Sequence, residues 1–265
     1  MSNQPGTPTD SSGEQEHHDE WYQADAERIF NSWLIRLVNE RVAKDFLHRA
    51  ELGPETRVLD LGCGEGHIDC LLAPSLGRLV GHDISPVGIE QARKRATDAG
   101  LTNVSFEVGD LSRPEELSYT DEFDGICAFG FLHHLPLDGI ARIFDLAYRA
   151  LRPGGAFYSV DPNARRLVRH FSRFVQGQYD RYHSPDEHEL EPQVLIGLAE
   201  EAGLVSPQVR ASDFFANPLG WIVPGVPKAV ARPLVWLDHG LSALPVINRY
   251  SSSFSLVARK PVARA

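Results

Sequence analysis

Short apolar runs alternate with helical periodicities along most of the chain. Val58, Leu59 and Leu61 form a run of the kind that makes a buried parallel strand, and Gly62, Gly64 and Gly66 follow at once. The next positions, 66–74, are predicted to be helical. Strands are predicted at 78–83, 104–108, 123–128 and 156–160, with two more at 205–209 and 253–258. Between them, Ile89, Ala92 and Ala96 share one helical face, opened by Ser85-Pro86 and closed by Gly100. A second helix carries Ile140, Ile143, Phe144, Ala147 and Leu151. A third starts at Pro192, turns Val194, Leu195, Leu198 and Ala202 inward, and stops at Gly203. Upstream, Ile29, Phe30, Trp33, Leu34, Leu37, Val38, Val42 and Phe46 recur at helical spacing, ending near Leu52 before Gly53-Pro54. Strand–helix alternation of this kind predicts an α/β fold, a mostly parallel sheet with helices on both faces.

Charge changes the picture at the N-terminus. The chain of 265 residues carries a formal charge of −10. Residues 1–20 hold Asp10, Glu14, Glu16, Asp19 and Glu20 with no Lys or Arg, and are expected to form a disordered acidic tail. His17 and His18 read there as solvated residues, and no metal site is expected. An acidic body without a basic run argues against a nucleic-acid substrate, because phosphate contacts need clustered Lys and Arg. Cys63, Cys70 and Cys127 are odd in number and form no C-x-x-C pair, which disfavours a disulfide framework or structural zinc and fits a reducing cytoplasm. No signal peptide and no bilayer-spanning run of about 20 apolar residues is evident.

The stretch 56–67, TRVLDLGCGEGH, is the first strand-to-helix turn of a nucleotide-binding unit. A dinucleotide loop wants Gly or Ala where His67 stands, and a phosphate-cradling loop needs Gly-Lys-Ser/Thr, which is absent. Asp60 and Glu65 make the turn acidic, which suits a cofactor with a cationic reactive end, such as S-adenosyl-L-methionine (SAM). VLDLGCGEGH resembles motif I of the class I SAM-dependent methyltransferases. Asp83 ends the second predicted strand, 21 residues beyond Gly62, where a carboxylate can accept from two ribose hydroxyls. In this family an acid after the third strand accepts the adenine amino proton beside an apolar side chain, and Asp110-Leu111 match it. LHHLP at 132–136, LRPGG at 151–155 and Asp161 are similar to small-molecule methyltransferases of the superfamily.

The resemblance covers about 56–161. It implies a Rossmann-like seven-stranded sheet whose last strand runs antiparallel between the fifth and sixth, with a helical cap. It also implies SAM contacts from Asp60, Gly62, Cys63, Gly64, Asp83, Ile84, Asp110, Leu111 and Phe129, with Tyr22 and Trp33 as lid candidates. The implied organisation is a tail (1–20), a helical lid (21–53), a SAM-binding core (54–161) and a region of cap insertions plus the last helix and strands (162–265). His133 is the expected general base, supported by Asp161 across the carboxyl edge of the sheet, with His134 as the alternative. The expected activity is methyl transfer to a small-molecule acceptor, on a hydroxyl oxygen. Carbon methylation of a quinone, isoprenoid or lipid-like acceptor, or SAM binding without methylation, are the other readings.

Two segments fall outside the family pattern. Residues 163–189 are rich in Arg, His and aromatics but are balanced by Asp186, Glu187, Glu189 and Glu191, which reads as a cap over the site. Residues 212–252 are apolar and broken by five prolines: Pro218, Pro224, Pro227, Pro233 and Pro245. They read either as a helical cap lining an acceptor pocket or as an amphipathic surface making peripheral contact with a membrane.

Overall fold

The computed structural model describes residues 12–24, 26–167 and 188–262. Strands β1 (Arg57–Leu61), β2 (Arg78–Asp83), β3 (Val104–Val108), β4 (Phe123–Phe129), β5 (Leu151–Pro162), β6 (Val205–Asp213) and β7 (Ser253–Arg259) form one sheet in the order β3-β2-β1-β4-β5-β7-β6. The first five are parallel, and β7 runs antiparallel between β5 and β6. The sheet reverses its order between β1 and β4, so the carboxyl ends of these two strands open onto one crevice.

The helices are α1 (Ser12–Ala24), α2 (Ala26–Phe30), α3 (Trp33–Arg49), α4 (Asp69–Leu72), α5 (Pro86–Asp98), α6 (Leu137–Ala150), α7 (Pro192–Glu201), α8 (Ala216–Ile222) and α9 (Lys228–Ser242). On one face of the sheet, Ile140, Ile143 and Phe144 of α6 and Leu195 of α7 pack against Leu59, Ile126, Phe157 and Leu256. On the other, Leu34, Val38, Val42 and Phe46 of α3 meet Val58, Cys127, Tyr158 and Val257. Helices α8 and α9, which connect β6 to β7, pack on α3 and cover it from outside.

Three sequence expectations change. The acidic tail was expected to be unordered through residue 20, yet α1 begins at Ser12. Its helix is held by tertiary contact, with Trp21 and Tyr22 packed into the crevice, which composition alone does not register. The helix expected at 66–74 shrinks to α4 and a 3₁₀ turn at Ala73–Ser75, because Gly66 takes a positive φ of 68° and Pro74 removes a donor. Strand β5 starts at Leu151, which pairs with Phe123, five residues before its expected start. Most of the basic stretch at 163–189 lies outside the described residues.

Candidate active site

The glycine turn builds the floor of the crevice. Gly62 and Cys63 both donate their N–H to the carbonyl of His82, at 2.8 and 3.0 Å, which folds the chain back sharply after β1. Gly62 has φ +81°, and a Cβ there would stand 2.6 Å from the Phe131 ring. Gly64 donates its N–H to Asp83 Oδ2 at 2.8 Å, and Ser85 donates its N–H to Asp83 Oδ1 at 2.9 Å. Asp83 therefore locks the turn to the start of α5, where Ser85 caps the helix by accepting from the Gly88 N–H.

A cavity of about 340 Å³ lies above this floor. Its lining includes the predicted residues Asp60, Gly62, Cys63, Gly64, Phe129, Tyr22, His133, His134 and Asp161. Asp83, Ile84, Asp110 and Leu111 stand outside the lining. Asp83 ends β2 and is buried behind the turn, Asp110 accepts from the Ser112 N–H at 2.9 Å, and Leu111 is packed in the core. The Tyr22 ring lies between Gly64 and Gly88: a Cβ at Gly64 would meet its hydroxyl at 2.5 Å, and one at Gly88 its ring at 2.9 Å. Helix α1 is fastened there by a hydrogen bond from Ser85 Oγ to Asp19 and by Gln91 Nε2 donating to the Tyr22 carbonyl at 3.3 Å. Trp33, the other lid candidate, is exposed instead, under the Lys228 ammonium at 4.1 Å from its ring.

Three carboxylates crowd the floor. Asp60, Glu65 and Asp69 line the cavity and are all buried, with the buried Asp83 behind the turn. Burial and the neighbouring Asp69 push the Asp60 pKa well up, and burial raises Asp69 to about 7. Asp60 Oδ1 and Glu65 Oε1 accept no hydrogen bond among the described residues. The second Glu65 oxygen receives His67 Nε2 at 2.8 Å. A buried acidic floor with orphaned oxygens suits a ligand that brings positive charge.

On the opposite wall, Asp161 Oδ1 faces His133 Nδ1 at 3.4 Å and the His133 N–H at 3.3 Å. Burial raises Asp161 to about 7. Beside it, His134 Nδ1 lies 2.8 Å from Glu14 Oε1, and burial holds the imidazole down to about 4. Glu14 Oε1 also meets His18 Nε2 at 3.1 Å. His18, which read as a solvated tail residue, is thus part of the site. Glu14, His18 and His134 offer one oxygen and two nitrogens within 4.8 Å of one another, a donor set that could hold a divalent cation. The contacts among the three also satisfy these atoms without one.

An aromatic wall escaped the sequence reading. Trp21 of α1 stacks on Trp221 of α8 with centroids 5.6 Å apart, and Phe30 of α2 packs edge-on to Trp21 and stacks on His67 at 4.1 Å. All four rings line the cavity. The aromatic residues at 21, 30 and 221 were visible, but 200 positions of chain separate Trp21 from Trp221, and no local periodicity links them.

A sequence profile described as a methyltransferase domain matches residues 52–190. The chain belongs to this family. It has the fold and the glycine-turn motif of the class I SAM-dependent methyltransferases, and SAM is the cofactor expected of the family; the acidic floor fits its cationic end. The chain is 41% identical over 75 residues to a 23S rRNA (uracil(1939)-C(5))-methyltransferase of Shewanella sediminis, covering 28% of this chain and 17% of that protein. It is 29% identical over 201 residues to a ubiquinone biosynthesis O-methyltransferase of a Methylobacterium species, covering 70% and 76%. Among solved structures, phosphoethanolamine N-methyltransferase 2 of Haemonchus contortus, in complex with S-adenosylhomocysteine, superposes with a TM-score of 0.66 at 18% identity, over 97% of this chain and 61% of that one. That likeness is one of fold. The chain spans less than half the length of the first curated relatives it matches.

Proposed function

We propose that this methyltransferase moves the methyl group of SAM to a hydroxyl oxygen of a small acceptor with a flat, apolar ring. The observation that carries this reading is the His133–Asp161 pair in the wall of the same cavity that the glycine turn floors. SAM supplies a methyl already activated on a sulfonium. The protein's part is to hold the acceptor in line and take up its proton. With His133 Nδ1–H directed at Asp161, Nε2 keeps its lone pair and accepts the proton as the oxygen–methyl bond forms. Asp161 stabilises the imidazolium that results. The developing positive charge on His133 in turn favours the ionised form of Asp161, whose pKa burial otherwise holds near 7. Burial keeps the affinity of His134 for a proton low, which makes it a poor base.

The aromatic wall of Trp21, Phe30 and Trp221 supports a ring acceptor, which can stack there. A relative matched over 201 residues, an O-methyltransferase of ubiquinone biosynthesis by its name, is consistent with this class. The formal net charge of −10 gives no support to a nucleic acid.

The test uses SAM carrying a tritiated methyl and a short-tailed prenyl catechol. His133→Ala is expected to cut transfer by about 10²- to 10⁴-fold with little change in SAM affinity. Full activity in that variant, or label recovered on ring carbon, overturns oxygen transfer by this base.

A further inference from the structure

We propose that the outer face of α9 and the turn after it docks on an anionic phospholipid bilayer. This goes beyond the reading of the active site and does not depend on which atom is methylated.

The argument starts from helix geometry. At 100° per residue, Ala229, Val230, Pro233, Trp236, Leu237 and Gly240 fall on one arc of about 120°. All of them are exposed. Trp236 has 79% of its surface in solvent, the most of any large apolar side chain in the cap, and Val246 in the following turn has 69%. The opposite arc, with Ala231 and Asp238, is buried against α3 and α8. A soluble helix normally spends its apolar arc on the core; this one carries a second apolar arc that none of the described residues covers.

Charge selects the occupant. Lys228, Arg232 and His239 line one edge of the exposed arc, within about 40° of one another. Arg249 is exposed in the turn beyond. Between 214 and 252 the only acid is Asp238, which is fully buried. A chain of net charge −10 therefore presents a face whose exposed charges are all positive, beside tryptophan and aliphatic side chains. That combination of apolar arc, basic edge and interfacial tryptophan matches a negatively charged headgroup layer over acyl chains. No helix among the described residues is long and apolar enough to cross a membrane, so the contact is peripheral.

The face is also mechanically tied to the site. Asp238, on the buried arc of α9, accepts the N–H groups of Phe214, Phe215 and Ala216 at the start of α8. Helix α8 carries Trp221 and Ile222 into the cavity lining. A bilayer under α9 would thus lie one helix away from the acceptor pocket.

The experiment is flotation of the full chain with vesicles of phosphatidylcholine alone and of phosphatidylcholine with phosphatidylglycerol. The chain is expected to float with the anionic vesicles, to be released by salt, and to stay behind with the neutral ones. Trp236→Ala and Arg232→Glu are each expected to weaken binding by about fivefold or more. Both side chains are exposed, so melting temperature and SAM affinity should stay at wild-type values and mark the variants as folded. Binding that is absent, or that ignores both substitutions, overturns the proposal. So does a stable dimer in solution that Trp236→Ala dissociates, since the face would then belong to a second copy.

Discussion

Asp238→Ala should loosen the whole cap, and the structure sets the size of the effect. The carboxylate is fully buried and accepts from three consecutive backbone donors: Phe214 at 3.2 Å, Phe215 at 3.1 Å and Ala216 at 2.7 Å. These are the unpaired N–H groups at the start of α8, which no local side chain caps. A hydrogen bond to a charged acceptor contributes about 1.5–3 kcal/mol, and an orphaned buried donor costs a similar amount. The three do not add in full, because the freed segment can open to water once one bond is lost. The expected loss is about 3–4 kcal/mol, a large share of the ~5–15 kcal/mol that a domain has. Asp238→Asn keeps one acceptor oxygen but turns an amide toward the donors, so it should lose about 2 kcal/mol. Urea denaturation followed by circular dichroism reads both. A loss under 1 kcal/mol for the alanine variant would refute the capping argument. At sub-denaturing conditions the same variant should raise the KM for the prenyl catechol more than it weakens SAM, because α8 lines the aromatic side of the cavity and not the glycine floor.

Gly64→Ala should weaken SAM binding and undock α1, since the new Cβ meets the Tyr22 hydroxyl at 2.5 Å and the backbone sits at φ +52°. Combining it with Tyr22→Phe removes the closest atom and leaves the next contact at 3.3 Å, so hydrogen exchange of α1 should slow again in the double variant, while about 1 kcal/mol of backbone strain persists in its melting curve. Asp213 is buried and its pKa is raised to about 6 by that burial. The folded state then binds a proton more tightly than the unfolded chain, so this group destabilises above pH 6 and the penalty fades as pH falls from 6 toward 3.8. Asp213→Asn should accordingly stabilise at pH 8 by about 2–3 kcal/mol and lose most of that advantage by pH 4.

What the sequence revealed follows from the range of the interactions involved. Strands β1, β2 and β4 were legible because buried parallel strands leave apolar runs, β3 at the sheet edge because its residues alternate, and the glycine turn because its backbone geometry restricts residue type locally. The antiparallel seventh strand came from the family resemblance; its apolar run alone does not say which neighbours it pairs with. Helix α1 was missed for the opposite reason. Its residues are polar because they meet polar partners in the crevice: Glu14 meets His134, 120 positions away, and Asp19 meets Ser85. A hydrophobicity pattern finds elements that bury apolar stripes, and α1 is held in part by hydrogen bonds to the site itself. The His133–Asp161 pairing was legible because both residues sit at carboxyl ends of strands that the sheet order makes neighbours. The aromatic wall was not, since α1, α2 and α8 meet only in three dimensions.

The acidic floor makes a last prediction that separates charge from shape. Asp69 has a pKa near 7, raised by burial, so at neutral pH it holds a proton about half the time. Asp60 beside it is pushed up as well, by burial and by the Asp69 charge. A ligand that brings positive charge into the cavity favours the ionised form of these carboxylates, so binding should release protons. The sign fixes the pH window: affinity for SAM should rise as pH goes from 6 to 8 and level off once Asp69 is ionised in the free protein. S-adenosylhomocysteine lacks only the methyl and, with it, the sulfonium charge, so it should release fewer protons and show a flatter pH profile. Titration calorimetry at pH 7 in two buffers of different ionisation enthalpy measures the protons directly. Asp69→Asn should abolish most of the difference between the two ligands. Equal proton release by both in the wild type would mean that the floor does not sense the sulfonium, and its acidity would then have to be explained by packing around the glycine turn alone.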